Sequence, residues 1–219
     1  MVCRDALPAC NKRMGSVWGP DGMRFGPGFL HAAQIVTWDP AHIQGGISLS
    51  NGNLTATSNV SGGNAEVGGI ATQSRGSGKF YFEVHVDRVA GQQFSAIAIG
   101  ISTSVTQNAE SWLLQNDNGE QSSSILYHND NVSSGGSFFS TGATIGVAVD
   151  TDNNRLWMSI NGNWQFGGNP SNGGAGISIA HESWFPEFFF VGDGTQCTAN
   201  FGNSGFAQAV PSGFLPWQS

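Results

Sequence analysis

Lysine is nearly absent from this 219-residue chain: Lys12 and Lys79 are the only two. Charged residues of both signs make up 11%, against about 25% in ordinary soluble domains. The net charge is −7. An acidic chain with so few cations repels phosphate backbones, which excludes nucleic acid as the expected partner. No run of about 20 apolar residues occurs, so no helical membrane span is expected. The N-terminus has no apolar core of the kind a signal peptide needs, so classical secretion is not expected either. Cysteine is scarce too. Cys3, Cys10 and Cys197 are an odd count and make no disulfide framework. Cys3 and Cys10 are placed to pair with each other, or to ligate a metal with a histidine. Free thiols in a reducing cytoplasm are the expected state.

Catalytic motifs are missing as well. There is no G-x-S-x-G elbow, no H-E-x-x-H and no G-x-x-x-x-G-K phosphate loop. His31, His42, His85, His128 and His181 are scattered. Glu83 and Asp87 share one strand face, but four residues apart puts them about 13 Å from each other. Retaining glycosidases need two carboxyls about 5 Å apart. The expectation is a protein that is not an enzyme and holds no cofactor, with a hydrolase as the weaker alternative.

What the chain has in quantity is glycine (32) and phenylalanine (15), with much Asn, Ser and Thr. Such residues favour turns and short strands over helices. Residues 1–37 show no period. Gly15, Gly19-Pro20, Gly22, Gly26-Pro27 and Gly28 interrupt Trp18, Phe25 and Phe29. Residues 1–24 hold four cations against two carboxylates, a net +2, and the remainder holds four against 13, a net −9. Residues 1–37 are therefore read as an extended basic arm. Arg4, Arg13, Trp18, Arg24, Phe25 and Phe29 are its candidate assembly contacts.

From Trp38 the pattern is of short strands. Ile47-Ser48-Leu49-Ser50 and Leu54-Thr55-Ala56-Thr57 alternate on either side of Asn51-Gly52, a hairpin signal. In Lys79–Asp87, Phe80, Phe82, Val84 and Val86 fall on one face and Tyr81, Glu83, His85 and Asp87 on the other, as in a half-buried strand. Ile97, Ile99 and Ile101 repeat the alternation, as do Ile145, Val147 and Val149, then Leu156, Met158 and Ile160. An aromatic strand spans 184–191. Many short strands with turn signals between them predict an all-β, antiparallel two-sheet sandwich over 38–219.

Four segments resemble the SPRY domain family, a concanavalin-like β-sandwich. They are Gly78-Lys79-Phe80-Tyr81-Phe82-Glu83-Val84, Ala98-Ile99-Gly100-Ile101, the stretch 142–162 (GATIGVAVDTDNNRLWMSING), and Phe185-Pro186 with Asn200-Phe201-Gly202. The third is the most specific, since its spacing holds for about twenty positions. The opening Thr37-Trp38-Asp39-Pro40, with Leu49 to Thr55, also resembles the SPRY-like proteins of bacteriophages and prophages. No zinc-binding Cys/His series accompanies it, so nothing suggests a ubiquitin-ligase role.

The resemblance implies recognition of peptides or proteins by loops at one end of the sandwich. Trp112, Tyr127 and His128 fall in such a loop region, and Trp164 follows the Asn161-Gly162 turn; these four are the candidate ligand-binding residues. Each aromatic serves equally well as a core plug. Asp150, Asp152 and Asn154 form a weak calcium candidate, as do residues 116–120, although Asx residues also make ordinary turns. The expected function is a bacteriophage virion structural protein: a capsid decoration, cement or fibre-associated subunit held by its arm. Other virion proteins, and copies of itself in an oligomer or array, are the expected partners. A receptor-binding or peptide- and glycan-recognition module is the alternative, with a host surface receptor as its partner.

Overall fold

A β-strand that buries both of its faces needs a layer on each side, and the strand Lys79–Arg88 of this protein has both. The computed structural model describes residues 35–60, 66–91, 95–104, 110–116, 123–128 and 131–219, with only the backbone described for 131–134. Among these residues there is no helix. The strands are β1 (Trp38–Ile43), β2 (Ile47–Ser50), β3 (Thr55–Ser58), β4 (Glu66–Ala71), β5 (Lys79–Arg88), β6 (Ala96–Ser102), β7 (Ser111–Asn116) and β8 (Ser123–His128). They continue as β9 (Asn131–Ser137), β10 (Thr144–Asp150), β11 (Arg155–Ile160), β12 (Asn163–Trp164), β13 (Ile177–Ser178), β14 (Phe185–Val191), β15 (Gln196–Asn200) and β16 (Leu215–Pro216).

One sheet has seven strands in the order β1-β4-β14-β6-β7-β8-β9. The other runs β12-β11-β10-β5-β15-β3-β2, with β13 beside β11 and β16 beside β5. The β16–β5 pair is parallel and the other pairings are antiparallel. This is the two-sheet sandwich that strand alternation predicts. Phe82, Val84, Val86, Ile97, Ile99, Ile101, Ile145, Val147 and Val149 are fully buried in one cluster between the sheets.

The core is joined across the sheets by aromatic rings. Phe190 meets Phe188 at 4.8 Å between centroids, Phe188 meets Trp38 at 4.7 Å, and Trp38 meets Phe201 at 5.2 Å. Phe201 meets Phe82 at 5.9 Å, Phe82 meets Trp217 at 5.3 Å, and Trp217 meets Phe80 at 5.8 Å. Most of these pairs are edge-on, the arrangement that the ring quadrupole favours.

Turns follow backbone chemistry. Asn161 and Gly162 both have positive φ (49° and 80°) and join Ile160 to Asn163, the signature of a type I′ hairpin. Gly146 is required for a different reason. A Cβ there would lie 2.5 Å from the Tyr81 hydroxyl, which crosses the sheet over it.

One expectation needs correction. Tyr81 and Glu83 are not on a wet face: they are 0% and 3% exposed. The C-terminal segment folds back over the nine-stranded sheet, so that Phe206, Val210 and Phe214 pack with Tyr81, Ala148 and Trp157. Glu83 fastens it. Its carboxylate accepts hydrogen bonds from the Ala207 and Gln208 amides, both at 2.8 Å, and from the Tyr81 hydroxyl at 2.9 Å. Burial, reinforced by the Glu83 charge and hydrogen bond, raises the Tyr81 phenol far above its ordinary range. Arg75 pins the same segment from the other side, its guanidinium donating to the Trp217 carbonyl while lying 4.8 Å from the Phe80 ring centroid.

Residues 1–34 of the proposed arm, with Arg4, Arg13, Trp18, Arg24, Phe25 and Phe29, lie outside the described residues, as do Cys3 and Cys10; its last three residues, 35–37, are described. Cys197 is a buried free thiol. The described chain begins tied in: Val36 is fully buried, and its amide donates to Gln218 Oε1 at 2.6 Å.

Two predictions follow from this packing. Replacing Glu83 with Ala strands three donors under the C-terminal segment, and should lower unfolding free energy by about 3 kcal/mol, read from the denaturant midpoint. Glu187 on β14 supplies the other. Burial pushes its carboxyl from an ordinary 4.5 up to about 8. Between those values the folded chain keeps a proton that the unfolded chain has released. Stability should therefore fall as pH rises across that window, and Glu187→Gln should flatten the fall in a pH series of melting temperatures.

Candidate functional site

β7 and β8 pair so that Leu113 faces Tyr127 and Leu114 faces Leu126. The same register sets Trp112 opposite His128. Because side chains alternate, this pair shares the core-facing side with Leu114, whereas Tyr127 projects from the opposite face beside Leu113. Trp112 and Leu126 pack against the edge of the main core.

The Trp112 and His128 rings are stacked, 3.7 Å between centroids and 26° between planes. Glu110 Oε1 lies 3.6 Å from His128 Nε2. Glu110 is itself held at the base of its loop, where its amide donates to Thr103 Oγ1 at 3.2 Å and its carbonyl accepts from the Thr103 amide at 2.9 Å. Burial lowers the His128 pKa, and the nearby Glu110 charge offsets part of that effect. Trp112 Nε1 and His128 Nε2 are both shielded from water, and neither has a hydrogen-bond partner among the described residues. An unmatched buried donor costs about 1–3 kcal/mol. The chemistry on offer is a flat aromatic platform, two unmatched ring nitrogens and one carboxylate. That suits a peptide carbonyl or amide better than bond cleavage.

The four sequence candidates do not form one site. Trp112 and His128 come together and Tyr127 is across the sheet. Trp164 lies in the other sheet, packed against Tyr81 at 6.4 Å between centroids, which makes it part of the small C-terminal cluster. Glu110 and Thr103 carry no motif, and sequence reasoning missed them. Only the β6–β7 pairing brings them together, and no local pattern signals it.

The calcium candidates are committed elsewhere. Asp150 Oδ2 is 2.9 Å from Lys79 Nζ and 2.8 Å from Asn153 Nδ2, and Oδ1 accepts from the Asn153 amide. Burial alone would raise the Asp150 carboxyl, but these partners hold it below the usual range. Asp152 accepts from the Gly78 amide at 2.8 Å, and Asn154 contacts His181. These are the bonds of a hairpin turn. Of the second stretch, 117–120 lie outside the described residues, and Asn116 accepts from the Ile97 amide at 2.7 Å. Among the described residues no group of three or more His, Cys, Asp or Glu is arranged to hold a metal.

With the fold and this end of the sheet in view, the class is an antiparallel two-sheet β-sandwich. The family model described as "SPRY domain" matches residues 79–204, more than half of the chain, so the chain belongs to the SPRY domain family. SPRY domains are protein-binding modules and in general not catalysts. Among solved structures, the SPRY domain of human HERC1 is similar at 16% identity and a TM-score of 0.56, over 77% of this chain and 99% of that one. The TRIM65 PSpry domain is similar at 14% identity and a TM-score of 0.50, over 76% and 90%. At such identities the likeness is one of fold. No curated protein is a significant sequence match to this chain.

The site predicts a titration. His128 should titrate below the ordinary 6.5, and Glu110→Gln should move it lower still by removing the charge that favours imidazolium. Imidazole proton resonances followed by NMR check both signs. Calcium and EDTA should each leave the melting temperature unchanged, because the Asp150 oxygens already have partners; a rise with calcium alone would contradict that.

Proposed function

We propose that this protein is a non-catalytic binding subunit that reads an extended peptide with the Trp112–His128 end of its seven-stranded sheet. The carrying observation is the stacked pair with two shielded ring nitrogens left unmatched. Stacked aromatics of this kind are common anchors of binding energy. Selection of a random peptide library on the full chain tests it. Peptides retained by the wild type should lose about tenfold or more in affinity on Trp112→Ala and on His128→Ala, with the melting transition kept. Retention that neither substitution changes would rule the reading out.

A second, finer reading concerns place. We infer a bacteriophage virion subunit, of decoration, cement or fibre-associated type, whose partners are capsid or tail proteins and whose outward SPRY domain meets a host surface receptor. What supports it is the likeness of the 37–55 opening to SPRY-like phage proteins, together with a basic segment on an acidic body. In the fold those opening residues are structural: Trp38 is buried in the core, and Asp39 accepts from the Ala41 amide at 2.9 Å. The support is therefore kinship of sequence. Deleting residues 1–37 should abolish incorporation into particles, and normal incorporation of the truncated chain would defeat the arm-anchor idea.

A further inference from the structure

The C-terminal roof leaves part of the outer face of the nine-stranded sheet open, and His85 is exposed there. Beside the roof lies a cleft of about 280 Å³, lined by residues of the β2–β3 turn, of β5, β10 and β15, and of segment 204–207. That volume is near the small end of ligand clefts, which run from about 300 to 1,000 Å³. Strand register sets its floor. Thr55 of β3, Thr198 of β15, His85 of β5 and Thr144 of β10 stand in one cross-strand row.

Hydrogen bonds along this row leave a defined set of groups free. Thr198 Oγ1 donates to Asp87 Oδ2 at 2.6 Å, which uses its one proton, so Thr55 Oγ1 at 2.8 Å is a donor to it. His85 Nδ1 lies 3.1 Å from Thr144 Oγ1, and Nε2 has no partner among the described residues. In one imidazole tautomer Nδ1–H donates, which leaves the Thr144 proton and the Nε2 lone pair. In the other Thr144 donates, which leaves Nε2–H and a Thr144 lone pair. In both, the pair offers the cleft one donor and one acceptor from neighbouring strands. The wall is fixed in advance: Asn200 Nδ2 donates to the Gly205 carbonyl at 3.0 Å, and its Oδ1 accepts from the Gly202 amide at 2.9 Å. A cleft that needs no rearrangement loses less affinity to ordering.

These groups exclude several ligand classes. No Arg or Lys is among the described residues lining the cleft. Glu83 and Asp87 flank His85 on its own strand face, so an anion is repelled. Both carboxylates already accept from protein donors, so a cation gains little there over water. A hydroxyl both donates and accepts, and matches the His85–Thr144 pair in either tautomer. Leu54 and Ala199 add apolar surface to the same cleft. Hydroxyls at an edge and C–H groups on a face are the chemistry of a sugar ring.

We propose that this cleft is a carbohydrate site for a single sugar residue, with neighbouring hydroxyls on His85 and Thr144 and the apolar face of the ring against Leu54 and Ala199. It is separate from the Trp112–His128 pair, which belongs to the other sheet, and it stands whether or not that pair reads peptides.

The test titrates the full chain with the methyl glycosides of glucose, galactose, mannose and N-acetylglucosamine, with sorbitol as an acyclic control. Histidine ring resonances are followed by NMR. At least one glycoside should shift the His85 signals and leave those of His181 unmoved, with a Kd of about 1 mM. His85→Ala and Thr144→Val should each weaken that binding about tenfold or more. Trp112→Ala should leave it unchanged, which separates failure here from failure of the peptide-reading end. Should Thr144→Val fail to fold, His85→Ala carries the test, because its side chain is exposed. Three results overturn the proposal: no glycoside that shifts His85, binding that His85→Ala leaves intact, or sorbitol bound as tightly as the best glycoside.

Discussion

The chain of aromatic rings from Phe190 through Phe188, Trp38, Phe201, Phe82 and Trp217 to Phe80 is what the rest of the sandwich depends on. It begins in the seven-stranded sheet, crosses to the nine-stranded one, and ends under Arg75. Its members come from both ends of the described chain, so the sheets cannot separate without exposing all of it. Phe and Trp each bury a large apolar area, roughly 150–250 Å². In a chain with 11% charged residues, ring packing takes the place of surface ion pairs as the organising term.

With the core closed in this way, function is left to the rims and outer faces. At the end of β7 and β8 the core runs out at Trp112, and His128 stacks on it instead of on another apolar side chain. The nine-stranded sheet uses its own C-terminal segment as a roof, fastened at Glu83 by three donors. The seven-stranded sheet carries apolar side chains outward as well, and among them the Glu187 carboxyl is buried, its Oε2 without a hydrogen-bond partner among the described residues. The same residue type on two strands thus has opposite standing: a carboxylate met by three donors at Glu83, and a buried carboxyl that keeps its proton up to about pH 8 at Glu187.

Much of the fold was legible in the residues. Alternation at Phe80–Val86, Ile97–Ile101 and Ile145–Val149 has period two, and period two is what a pleated strand imposes on side chains. Asn161-Gly162 announced its turn because few residues other than Gly and Asn tolerate positive φ. The Asp150–Asn154 cluster was legible as a turn for a related reason, since Asx side chains bond nearby backbone amides. The site was far less legible. Trp112 and His128 were named together with Tyr127 and Trp164, and nothing local separates those four.

The sequence by itself determined the strands, their inward faces, the tight turns and the family, since each depends on neighbours within a few residues or on a motif of fixed spacing. Only the tertiary structure decided that Tyr81 and Glu83 lie under a roof, that His128 stacks on Trp112 while Tyr127 points away, and that the Glu187 carboxyl is buried. Those outcomes depend on register between strands far apart in the chain, where a shift of one residue moves each side chain to the opposite face. No spacing along the chain encodes that register.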